Sequence, residues 1–78
     1  MEDENLNRIL KSSESSIKSQ CGTFDYTNER AVELVLERAR YAYNDSLEFF
    51  EMNFREQLLN LSLDLYLEEA DEIEKARI

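Results

Sequence analysis

Proline is absent from this chain, glycine occurs once, at Gly22, and there is no histidine, no tryptophan and a single cysteine, Cys21. With so few residues that force turns, helix is the default reading. One cysteine excludes an intramolecular disulfide, and without histidine or a second thiol there is no structural zinc site of the usual ligand types. Imidazole acid–base catalysis is excluded on the same ground, as are the Glu-x-x-His pairs of di-iron carboxylate bundles. Positive charge is scarce as well: 9 bases face 18 acids, a net charge of -9. That field repels a phosphate backbone and an anionic membrane, so direct nucleic-acid or membrane binding is not expected, whereas a protein with a basic surface is attracted.

No apolar run approaches the ~20 residues of a membrane span. The start, Met1-Glu2-Asp3-Glu4, has neither the positive region nor the apolar stretch of a secretion signal. The expectation is a soluble, cytoplasmic protein. Its 78 residues make one domain. A chain of this size buries only ~60% of the surface its unfolded form exposes. With no disulfide or metal to reinforce it, the fold is expected to lean on self-association, on a partner or on efficient helix packing.

Acid-before-base pairs four residues apart support helix throughout: Glu4 with Arg8, Glu14 with Lys18, Glu51 with Arg55 and Asp71 with Lys75. Residues 1–21 read as an amphipathic, serine-rich helix or arm whose apolar stripe is Leu6, Ile9, Leu10, Ile17 and Cys21, with Ser13 in the gap. Its five serines between Ser12 and Ser19 compete for backbone hydrogen bonds and weaken it. Residues 22–27 read as a loop, with Gly22 ending the first helix and Thr27 capping the next. Phe24 and Tyr26 within it are expected to be pinned to the core, since exposure would forgo burial worth ~25 cal/mol per Å².

From residue 28 to 78 the chain reads as the main helical region. Winding at about 100° per residue places Val32, Leu36, Ala39, Tyr43, Leu47, Phe50, Phe54, Leu58, Leu61 and Leu65 on one side. The stripe stays in phase past Asn44-Asp45-Ser46. That triplet nevertheless resembles a helix start, with Asp45 as cap and Glu48 three residues on, which predicts a corner or kink at 44–46. Leu59 to Leu67 alternates apolar and polar as a half-buried strand would, but leucine favours helix and no β-branched residue is present, so the helical reading is kept.

Coiled as a helix, the leucine-dense stretch cannot place all its leucines on one side. Leu34, Tyr41, Met52, Leu59, Leu63, Tyr66 and Ala70 form a second stripe roughly opposite the first, and a helix apolar on two sides needs two neighbours. Such a patch left in water is uncommon on a monomer, which points to an interface; tyrosine and methionine are enriched at such surfaces. The alternative is a compact core that uses both sides internally. Beyond it, Glu68-Glu69-Ala70-Asp71-Glu72-Ile73-Glu74 sets five carboxylates within seven residues. Either they solvate a helix end, where they oppose the macrodipole, or they dock a basic partner.

Catalytic readings find no support. Glu68-Glu69-x-x-Glu72 matches the first acidic half of the magnesium site of the all-helical nucleotide pyrophosphohydrolases, but six residues follow Glu72, too few for the second half. Cys21 has only Lys18 as a nearby base and reads as a buried thiol. No glycine-rich phosphate loop or EF-hand loop is present. The serines from Ser12 to Ser19 offer at most a weak phosphorylation pattern.

The sequence thus predicts an all-α fold of two or three helices, a helical hairpin or small bundle with a long C-terminal helix, that self-associates. The expected function is non-enzymatic and cofactor-free: a small acidic interaction module acting as inhibitor, adaptor or regulator of a basic protein, in the general style of small bacterial or viral regulators. Tyr41, Met52, Leu59, Leu63 and Tyr66 would make the apolar contacts, with Glu68, Glu69, Asp71 and Glu72 contributing charge. The alternative is a structural homo-oligomer with no heterologous partner.

Overall fold

A computed structural model describes residues 2–77, and the side-chain environments of residues 4–76; Met1 and Ile78, the outer ends of the expected terminal segments, lie outside these. The fold is all-α, with helices α1 (Glu2–Cys21), α2 (Glu29–Tyr43) and α3 (Phe50–Arg77) and a 3-10 turn at Leu47–Phe49. Among the described residues there is no strand, and Leu59 to Leu67 lies wholly within α3.

Each break has a local cause. α1 ends where Gly22 takes a φ of 121°, a region that disfavours side chains. The loop then turns on Asp25, whose carboxylate accepts from the Thr27 backbone N–H at 2.9 Å and from the Thr27 hydroxyl. The cap of α2 is Asn28, not Thr27: its Oδ1 accepts from Ala31 N at 3.1 Å. Thr27 is unavailable because its hydroxyl is engaged with Asp25.

The corner at 44–46 is built differently from the expected cap. Asp45 adopts a left-handed φ of 55° immediately after the cap residue Asn44. Its N–H donates to the Ala42 carbonyl at 3.1 Å, and the Ser46 N–H donates to the Tyr41 carbonyl at 2.8 Å. These are the two bonds of a Schellman motif, which satisfies the last carbonyls of a helix. Asp45 therefore closes α2 and does not open α3; aspartate tolerates this conformation better than most residues. α3 contains a further irregularity at Phe54, where φ is -118° and ψ is 17°.

The core draws Ile17 and Cys21 from α1, Phe24 from the loop, Ala31, Leu34 and Val35 from α2, and Phe50, Leu58, Leu61 and Leu65 from α3. Tyr41 and Phe54 pack against it, and Tyr41, Phe50 and Phe54 form an aromatic cluster with ring centroids 5.1 to 5.8 Å apart. On α3 the expected stripe is the buried one. On α2 only Ala39 of that stripe is buried: Leu36 and Tyr43 are 54% and 58% exposed, and Ala31, Leu34 and Val35 face inward beside Ala39. The corner resets the helical phase, and Ala31, absent from the expected stripe, is fully buried on the inward face of α2. Tyr26 is exposed, and its hydroxyl donates to both Glu14 carboxylate oxygens at 3.2 Å.

α3, at 1.5 Å per residue, is about 42 Å long and outruns its neighbours. The molecule measures 51 × 26 × 17 Å with a radius of gyration of 14.2 Å, against about 11.5 Å for a compact domain of this length. Past Leu65, no described side chain of α3 is buried.

Candidate interaction surface

The buried residues of α3, Phe50, Leu58, Leu61 and Leu65, occupy one arc of the helix, and the opposite arc carries Met52, Leu59, Leu63 and Tyr66. These four are 72%, 64%, 56% and 67% exposed. Leu67 and Ile73 extend the same outer surface, also more than half exposed, and Ala70 is half-buried. From Leu59 through Leu63, Tyr66 and Ala70 to Ile73, the intervals alternate between four and three residues. That is the a/d spacing of a coiled-coil seam.

Two residues assigned to this stripe from sequence lie elsewhere. Leu34 is 2% exposed and belongs to the core. Tyr41 is half-buried, edge-on to Phe50 and Phe54, and its hydroxyl accepts from Asn53 Nδ2 at 3.0 Å. Both sit on α2, which the corner turns onto a different axis, so helical phase counted through the corner misplaced them. Ile73 and Leu67 were overlooked in sequence, although Ile73 follows Ala70 at the three-residue interval of the seam.

The carboxylates do not converge on one point. Glu68, Glu69 and Glu72 line a groove of about 560 Å³ beneath the 22–28 loop, together with Tyr66, Ser62 and Gly22, and no basic residue lines it. Asp71 points away and pairs with Lys75 at 3.4 Å. A second, more open groove of about 810 Å³ lies on the other side of α3, where Asp25, Glu29, Asp64 and Glu68 accompany Arg30. Arg30 is paired with Asp64. The end of the molecule where α3 emerges from the bundle thus carries negative charge on both flanks of an apolar ridge.

The Cys21 thiol is buried and donates to the Leu58 carbonyl at 3.5 Å. Among the described residues, no group of three or more cysteine, aspartate or glutamate side chains is placed to hold a metal ion. Among the described residues, no helix is long and apolar enough to cross a membrane. No family model, curated protein or solved structure matches the chain, so the reading of this surface rests on its own residues.

Proposed function

We propose that this chain is a protein–protein interaction module, an inhibitor, adaptor or regulator, that engages a partner with a basic surface through the outer face of α3. The observation that supports it is the exposure of Met52, Leu59, Leu63 and Tyr66 on the side of α3 opposite the core, beside Glu68, Glu69 and Glu72. Covering such a ridge removes apolar area from water at ~25 cal/mol per Å², and the surrounding carboxylates select a partner by charge more than they add affinity. Direct binding to nucleic acid is not part of this reading, because the net charge of -9 opposes it.

The same seam spacing supports a second reading, a structural homo-oligomer in which copies of α3 cover one another. Affinity capture from the native host with the full chain, in parallel with Leu63→Glu, separates the two. The regulator reading expects one basic protein retained by the parent chain and lost with Leu63→Glu, with helicity by circular dichroism unchanged. A stable assembly in sedimentation with no retained basic protein supports the homo-oligomer instead.

A further inference from the structure

Resting on the interaction reading above, we propose that the occupant of the α3 ridge is a single amphipathic helix of the partner, with lysine or arginine flanking its apolar face. The seam itself selects a helix. Leu59, Leu63, Tyr66, Ala70 and Ile73 are knobs at alternating four- and three-residue steps, and they run for about 21 Å at 1.5 Å per residue. A row of that period is matched by the holes of another helix crossing at about 20°, whereas a strand presents side chains at period two. The half-buried Ala70 between Tyr66 and Ile73 leaves a gap in the ridge for a large apolar side chain from the incoming helix.

Charge decides which helix. Winding at 100° per residue places Glu69 on one flank of the seam and Glu74 on the other, and Glu56 continues the seam three residues before Leu59. An incoming helix with basic residues at its flanking positions meets a carboxylate on both sides. A second copy of α3 is a poorer occupant. It brings another net charge of -9; pairing in parallel sets Glu69 of one copy beside Glu74 of the other, and pairing antiparallel lays Glu56 against an apolar knob. Like charges so placed disfavour the wrong partner and register.

The test uses the full-length chain and two synthetic three-heptad peptides, both with leucine at a and d, one with lysine and the other with glutamate at e and g. Titration by fluorescence anisotropy is expected to show binding of the lysine peptide, weakened at least tenfold by Leu63→Glu and by high salt, and no binding of the glutamate peptide. The double variant Glu69→Lys/Glu74→Lys, altered only on exposed flanks, is expected to reverse the preference. Equal binding of both peptides, or an unreversed preference, overturns the charge assignment. A chain that sediments as a dimer, dissociated by Leu63→Glu, makes a second copy the occupant and overturns the proposal. If neither peptide binds while a basic protein is still captured through Leu63, the helical occupant is wrong and the interaction reading stands; loss of both removes the two together.

Discussion

The guanidinium of Arg38, on α2, donates to the hydroxyl of Ser13, on α1, across 3.2 Å, and Ser13 is the one fully buried polar side chain among the described residues. In sequence, Ser13 is the gap in an otherwise apolar stripe. In the fold it is fully buried between α1 and its neighbours, with Arg38 supplying the partner a buried hydroxyl requires.

That contact carries a prediction opposite to the one hydrophobic patterning makes. Ser13→Leu would complete the stripe, yet it is expected to destabilise by ~1 to 3 kcal/mol because a larger side chain overpacks a fully buried position. Ser13→Ala keeps the packing and removes one hydrogen bond whose donor is half-exposed, so a loss of about 1 kcal/mol or less is expected. Urea denaturation of the two variants checks the order. Ser13→Leu at or above parental stability would show that α1 and α2 are not closely packed here.

Two leucines separated by one residue are expected to respond oppositely to truncation. Leu61 is fully buried and Leu63 is 56% exposed. Leu61→Ala is expected to cost ~2 to 5 kcal/mol, and Leu63→Ala to stay within ~0.5 kcal/mol of the parent when the chain is free. Thermal unfolding reads both. Equal, large losses would place Leu63 inside the core and remove the ridge.

How much of this was legible in the chain follows from where helical phase could be counted without interruption. Within α3 beyond the irregular turn at Phe54, the buried arc and the exposed arc both follow from the positions of the leucines, although the alternation at Leu59 to Leu67 mimics a strand. Across the corner the count fails, since the left-handed turn at Asp45 redirects the axis, and Leu34, Leu36, Tyr41 and Tyr43 end on faces other than those expected. Small residues were the other blind spot. Ala31 and Ser13 are fully buried, and a scale that rewards size does not register them, although the stripe did include Ala39.

Asp45 offers a direct test of that corner. A left-handed residue with a side chain costs roughly 1 to 2 kcal/mol relative to right-handed backbone, and glycine avoids this cost at the position after a helix cap. Asp45→Gly is expected to raise stability by up to ~1 kcal/mol, and Asp45→Val to lower it by more than that, both read from urea midpoints. A neutral Asp45→Val would mean that the chain continues helically through 44–46.

The last prediction concerns acid. Lys18 Nζ lies 3.1 Å from Glu14, and the Tyr26 hydroxyl donates to the same carboxylate; the Lys18 bond foremost, with help from Tyr26, holds Glu14 below its ordinary value of 4.5. Asp25 is held below 3.8 in the same way by the Thr27 hydroxyl and N–H. A carboxyl whose folded pKa is depressed binds fewer protons folded than unfolded, so unfolding at acid pH takes up protons. The stabilisation from Glu14 is therefore complete above its ordinary value and drains away as pH falls from there through the depressed one. Glu14→Gln cannot titrate. The stability difference between the parent and Glu14→Gln is expected to be level from about pH 7 to about pH 5.5 and to shrink at lower pH, measured by urea midpoints across that range. A difference that holds constant down to about pH 3 would mean that Glu14 has the same proton affinity folded and unfolded, and that its contacts with Lys18 and Tyr26 do not persist in solution.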